Sequence, residues 1–384
     1  MKPISFVAYG DLGLHTSRPI TELARGLHER GLLEQLYCRG VEECVLPSNL
    51  VTAPIPFGRM LPRAMTGINR FVTENFDKRY YSEQLFDFFA ARAAADHTIQ
   101  LHHTPGYLRT LRAGNRSGDR TVVKATTEYA RPHGKRVAKA YRDFGIDPPE
   151  AVTSNRRFDL RQKTLEECDR ILAISSFVEE SLVRSGFPPE KVAVTPLGVT
   201  PDEYPTSKWD QSGPFTVLYV GSVTIAKGVP YLIEAWRRNG WGDDEDAKLL
   251  LCGHVSQDVR EMLDSAEFKN IETPGFVDPG EYYHRASVFV FPSVSDGFGK
   301  APLEAMAAGV PAIATETTGM PDIIEPGREG YIVPSREVGP LADRLQYLRD
   351  HPTERRQMAE NALERAEEQT WDRHVENVVN ALEV

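Results

Sequence analysis

Short apolar runs rich in β-branched residues alternate with amphipathic stretches along most of this 384-residue chain. In the first half, ISFVAYG (4–10), LLEQLYC (32–38), TIQLHH (98–103), TVVKATTE (121–128), RILAISS (170–176) and KVAVT (191–195) read as strands. Helical patterns lie between them, as from Pro19 to Arg30, where a proline suits the first helical position because its missing N–H would have no partner there. The alternation then stops. TPDEYPTSKWDQSGPF (200–215) carries prolines, charges and small polar residues without periodicity, and reads as a linker. The pattern restarts with FTVLYVGS (215–222), a helix over roughly 229–238, and AKLLLCG (247–253). SVFVFPS (287–293), a helix from Ala301 to Ala308, VPAIAT (310–315) and GYIVP (330–334) continue it, and the tail from about Val338 is helical and charged. Strands alternating with helices predict parallel sheets wound on both faces. The break predicts two such α/β domains, 1–205 and 206–369, with a ligand cleft between their facing sheet edges.

Composition narrows the class. At 41% hydrophobic and 26% charged residues the chain reads as an ordinary soluble globular protein. No run reaches the roughly 18 apolar residues of a membrane span, and MKPISFVAYG enters a strand-like segment directly rather than a signal peptide. Four scattered cysteines, Cys38, Cys44, Cys168 and Cys252, form no CxxC pair, which fits free thiols in a reducing compartment. Cytoplasmic residence is the expectation. The net charge of −10 is uneven: residues 1–205 hold 28 Lys and Arg against 25 Asp and Glu, whereas the remainder holds 17 against 30. An acidic total argues against a nucleic-acid partner. Residues 101–163 are nevertheless basic, 14 against 6, which suits either an anionic substrate or membrane surface, or simply a solvated face.

The chemistry gathers in the second half. In SDGFGKAPLEAMAAG (295–309), Asp296 and Glu304 flank a Gly-Phe-Gly between a buried-strand pattern and a helix opened by Pro302 and closed by Gly309. A loop at a strand's carboxyl end against a helix N-terminus is an anion site, and phosphate suits it. Gly297 and Gly299 let the backbone approach a ligand, and carboxylates there can accept hydrogen bonds from sugar hydroxyls. The same acids could instead complement the helix dipole and cap a turn. VLYVGSVTIAKGVPYLIEAW repeats the strand–loop–helix plan with Lys227 just before its helix, where an ammonium can neutralise a diphosphate. Two such loops in one domain point to a nucleotide-linked ligand.

These segments resemble the donor domain of the family 4 retaining glycosyltransferases, whose GT-B fold sets two Rossmann-like domains face to face. The resemblance rests on PSVSDGFGKAPLEAMAAGVP (292–311), YVGSVTIAKG (219–228), PGFVD (274–278), GMPDII (319–324) and ILAISSFVEESLVRSGFPPEKVAVTPLGV (171–199). TWDRHVENVVNALEV resembles the family's last helix, which implies that 370–384 returns to the first domain. The resemblance covers 170–384 well and 1–169 loosely. It implies transfer of a sugar from a nucleotide-diphosphate-sugar to an acceptor hydroxyl on a sugar, polysaccharide or lipid-linked partner, in glycoconjugate synthesis. No cofactor and no metal are expected beyond that co-substrate; a peripheral contact with an anionic membrane face stays open. Lys227 would hold the diphosphate, Glu304 the ribose and Asp296 the sugar hydroxyls. Gly297, Phe298, Gly299, Lys300 and Leu303 would surround sugar and phosphates, backbone near Phe276 and Val277 would read the base, and Gly13 would approach the diphosphate from the other domain.

Departures from the pattern matter. Asp296 replaces the usual Glu, Ser222 the frequent Arg of the lysine loop, and Gly13 stands without a paired glycine. The family's frequent histidine after the mid-domain strand is not evident in VVKATTEYARPH; Glu128 or Tyr129 stands near its place, and His102 and His103 are nearby alternatives. His103, at the carboxyl end of its strand, is the candidate catalytic imidazole beside Lys227 and Asp296. The Asp-x-Asp of GDDED (242–246) reads as a solvated loop, and FGRMLPRAMTGINRF (57–71) as an internal helix rather than a lipid-binding one. Two other readings stay open: a non-catalytic sugar-nucleotide-binding scaffold, or a sugar-nucleotide epimerase on the same fold.

Overall fold

The computed structural model of the chain describes residues 2–13, 17–43, 45–55, 78–93, 98–149, 155–204, 213–266 and 268–383. Its first sheet contains β1 (Ile4–Leu12), β2 (Leu33–Val41), β3 (Val51–Thr52), β4 (Ile99–His102), β5 (Arg120–Ala125), β6 (Arg170–Ala173) and β7 (Val192–Val194). These lie in the order β3-β2-β1-β4-β5-β6-β7, and every pairing is parallel. The second sheet contains β8 (Phe215–Val220), β9 (Ala247–Cys252), β10 (Ile271–Gly275), β11 (Val288–Phe291), β12 (Ala312–Thr315) and β13 (Gly330–Val333), in the order β10-β9-β8-β11-β12-β13. Both sheets reverse direction of growth beside their first strand, so each has a switch point at its carboxyl edge where ligands of open α/β sheets bind. The two predicted doubly wound α/β domains are present.

The continuous apolar runs became central strands for a simple reason. Helices cover both faces, so every side chain of VFVF in β11 is buried. Edge strands lack that signature. Residues of β10, IETPG, are mostly exposed or partly exposed, and the apolar pattern does not reveal the strand. The stripe at 57–71 lies outside the described residues.

The chain crosses between the halves at two adjacent places. Val199 donates its N–H to the Gln369 carbonyl at 2.9 Å and bridges to Thr370 in parallel fashion. Beyond the crossing, helix Trp371–Glu383 lies on helix Arg18–Glu29, with Val375 against Gly26. Val375, Val378 and Leu382 join Leu23, Leu27 and Leu36 in the first domain's core. Each such burial is worth about 1.5–3 kcal/mol. The ion pair Arg30–Asp372, at 3.8 Å with Asp372 84% exposed, adds about 0–1 kcal/mol. The apolar stripe therefore holds this helix. Where the halves meet, a single core runs from Ile174, Val178 and Leu197 to Phe298, Met306 and Met320.

Candidate functional site

The lysine loop leads from β8 to helix Val229–Arg238 and lies directly on the end of β11. Gly228 makes this possible: its φ is +72°, and a Cβ there would sit 1.8 Å from the Pro292 carbonyl oxygen. The close approach brings Lys227 Nζ to 2.5 Å from Asp296 Oδ2, while Asp296 Oδ1 accepts from the Phe298 N–H at 3.2 Å. Both side chains stay partly open, 34% and 23% exposed, so this pair is screened and easily exchanged for a ligand. Gly299 opens helix Lys300–Ala307, and Glu304 is its fifth residue. Unlike Asp296, Glu304 is encased. Tyr283 Oη donates to its Oε2 at 2.9 Å, and Lys300 Nζ stands 3.2 Å from Oε1. Burial, and then the charge of Glu304, push the Tyr283 hydroxyl well above its ordinary value, and Tyr204 responds in the same direction for the same reasons.

The remaining donor-side positions lie at the rim or beneath it. Phe276 follows β10 and is 91% exposed, whereas Val277 packs partly against the core. Ser222 is exposed, and its carbonyl accepts from Tyr219 Oη at 2.8 Å. Leu303 and Phe298 are buried in the shared core. Gly13 donates its N–H to Thr21 Oγ1 at 3.1 Å and packs against the backbone of Glu43. In the acidic loop, Asp243 pairs with Lys269 and Asp244 with Arg349, at 3.0 and 2.7 Å.

The first domain meets the glycine loop closely. A Cβ on Gly297 would lie 2.2 Å from the Thr126 carbonyl oxygen just beyond β5, and Ser175 Oγ donates to the Gly297 carbonyl at 2.6 Å. Next to Asp296, Ser295 Oγ donates to Glu128 Oε2 at 2.7 Å, and Arg136 holds the same carboxylate at 3.0 Å. With its proton committed to Glu128, Ser295 Oγ accepts from His133 Nδ1–H at 2.9 Å. Nε2 of His133 then carries a free lone pair, with no partner among the described residues. Burial, opposed by Glu128 and reinforced by Lys227, lowers the pKa of His133, so the ring is neutral near pH 7.

The histidines named from the sequence sit elsewhere. His102 is fully buried against Tyr107 and meets Gln100 Oε1 through Nε2 at 2.8 Å. His103 packs edge-on to Phe6, its Nδ1 enclosed without a partner, and burial followed by the charge of Lys124 brings its pKa down to about 3. Tyr129 turns to Phe187. The imidazole that reaches the glycine loop is His133, in helix Ala130–Asp143. Its spacing marks nothing. The available signal was its place after a strand's carboxyl end.

Residues 17–203 match the family described as Glycosyltransferase Family 4, and residues 203–365 the family described as Glycosyl transferases group 1. The chain belongs to the family 4 glycosyltransferases. WcaL of Salmonella typhimurium, a glycosyltransferase ascribed to colanic acid biosynthesis, is 30% identical over 233 residues, which cover 57% of this chain and 56% of that protein. The match thus spans little more than half the length of that curated relative. Two solved structures resemble the whole chain. Sucrose-phosphate synthase from Thermosynechococcus elongatus has a TM-score of 0.69 at 18% identity, covering 100% of this chain and 98% of that one. Anabaena HepE in complex with UDP-glucose has a TM-score of 0.67 at 14% identity, covering 100% of both. The fold of this glycosyltransferase-family chain is GT-B.

Proposed function

We propose that this protein transfers a sugar from a nucleoside-diphosphate donor to an acceptor hydroxyl, with retention at the anomeric carbon and without a metal ion, in polysaccharide or other glycoconjugate synthesis. The observation that carries the reading is the Lys227–Asp296 pair, exchangeable and set between two helix beginnings. Diphosphate oxygens would compete with Asp296 for the ammonium, releasing the carboxylate toward the sugar hydroxyls. Glu304 already accepts from Tyr283 and Tyr204 and faces Lys300, and a ribose hydroxyl would take a remaining lone pair of the carboxylate. As the bond from the anomeric carbon to the phosphate oxygen breaks, negative charge gathers on the leaving group. Lys227 and the helix N-termini stabilise that charge, usually the dominant catalytic contribution. The leaving phosphate takes the acceptor's proton on the face where the new C–O bond forms. HepE was solved with UDP-glucose, which makes UDP-sugars the first donors to test, and WcaL's setting supports a polysaccharide acceptor.

The test is incubation with a panel of nucleotide-sugars, with and without acceptors and with a chelator present. Acceptor-dependent release of nucleoside diphosphate and a retained anomer by NMR are expected. An altered free sugar-nucleotide points to an epimerase, and binding without turnover to a scaffold. Glu304→Ala is expected to weaken donor binding about tenfold, a loss of about 1.4 kcal/mol; unchanged affinity in a titration removes the ribose contact.

A further inference from the structure

Three arginines on the first-domain side of the cleft gather near one carboxylate, which pairs with two of them. Arg79 and Glu83 lie one turn apart on helix Lys78–Ala93 and meet at 2.8 Å. Arg157, on helix Asn155–Glu167, stands 3.7 Å from the other oxygen of Glu83. Arg161 is four residues further, on the same face of that helix. It is partly buried, and among the described residues it has neither an ion-pair nor a hydrogen-bond partner. Burial, then Arg157, lower its pKa; Glu83 opposes them and Arg79 adds to the lowering. Leaving a guanidinium desolvated and unpaired is costly unless an anion offsets it.

The cluster lies at the ligand edge of the first sheet. Tyr107, which follows β4, is within electrostatic reach of Arg79 and Arg161, and its hydroxyl accepts from the Tyr9 N–H in β1 at 2.9 Å. His133 lies within electrostatic reach of Glu128, Lys227, Arg161 and Asp296. Arg161 is therefore within electrostatic reach of the imidazole that meets the glycine loop.

We infer that Arg79, Arg157 and Arg161 form an anion subsite for the acceptor, and that the acceptor carries a phosphate group. This rests on the transfer reading above. Soluble phosphate monoesters and phospholipid headgroups share the required chemistry.

The test is calorimetric titration of the full chain, saturated with UDP to block the donor loops, using inorganic phosphate and glycerol 3-phosphate. Co-sedimentation with phosphatidylcholine vesicles, with and without phosphatidic acid, forms a second arm. Binding in either arm that weakens about tenfold in Arg161→Gln supports the subsite, and the arm identifies the source. The exposed Arg79→Gln variant, which spares the fold, is expected to weaken binding about threefold. Absence of binding in both arms, or binding that neither variant changes, overturns the proposal. Failure to bind UDP or any other nucleoside diphosphate at the outset would instead count against the transfer reading.

Discussion

On the second-domain side of the cleft, the polar groups come from two contiguous loops, one ending in Lys227 and one running from Asp296 to Glu304. On the first-domain side, the groups that meet the glycine loop are Glu128, His133 and Ser175, drawn from separate segments after β5 and β6. The two sides also treat charge differently. Lys227 is partly open and holds an exchangeable carboxylate. Lys124, in β5, is fully buried and donates to His374 Nε2 at 2.9 Å, while His374 Nδ1–H donates to the Pro196 carbonyl at 2.6 Å. One lysine is placed to give its proton-bearing end to a ligand. The other ties the last helix to the first sheet.

The contrast can be broken by mutation. The largest effect is expected from Lys227→Ala, which should lower kcat by about 10²–10³ with an unchanged melting temperature, because it removes the positive charge beside the leaving group. Turnover close to wild type would show that the exposed lysine is ordinary surface. His133→Ala should cost roughly 10–100-fold in kcat, and His133→Gln, which can still donate to Ser295, should recover part of it. Because the imidazole pKa is lowered, wild-type activity should stay flat with pH through the ordinary histidine range near 6.5 and fall only below it; a break at or above that range contradicts the assigned environment.

Smaller effects sharpen the distinction. Tyr283→Phe leaves one oxygen of buried Glu304 without its donor, at about 1–3 kcal/mol of stability. It should raise the donor KM several-fold more than it lowers kcat. For Lys124 the expected signature is a pH slope. Burial brings its pKa down to about 7 from 10.5, so between those values the folded protein binds fewer protons than the unfolded chain. Stability should therefore rise with pH across that window by up to about 1.4 kcal/mol per unit, and Lys124→Met should flatten the slope. Thermal unfolding from pH 7 to 10 reads it directly; equal slopes would mean the lysine is solvated.

The two regions also explain what could be read from the chain alone. Strands β8, β11 and β12 are apolar on both faces, and their loops belong to single stretches of sequence, so fold and donor loops were legible together. The edge strand β10 was not, because an exposed edge needs no apolar pattern. His133 was passed over because its value lies in a contact with Ser295, 162 residues away, and no local spacing encodes such a distance. His103, by contrast, has the local position of a cleft residue but turns toward Phe6 in the interior. Arg161 read as one charge in a basic stretch; only the packing of two helices sets it near Arg157 and Arg79 with no ion-pair partner among the described residues.

The adjacent crossings at Val199 and Thr370 constrain how this molecule can open. Two strands of chain that touch where they pass between lobes act as a common axle. A swing about it would keep the Val199–Gln369 hydrogen bond while parting the Ser175–Gly297 and Ser295–Glu128 contacts, whereas sliding along the cleft would tear that bond as well. Loading and discharge would then proceed by rotation alone, with the widest gape at the rim farthest from that axle.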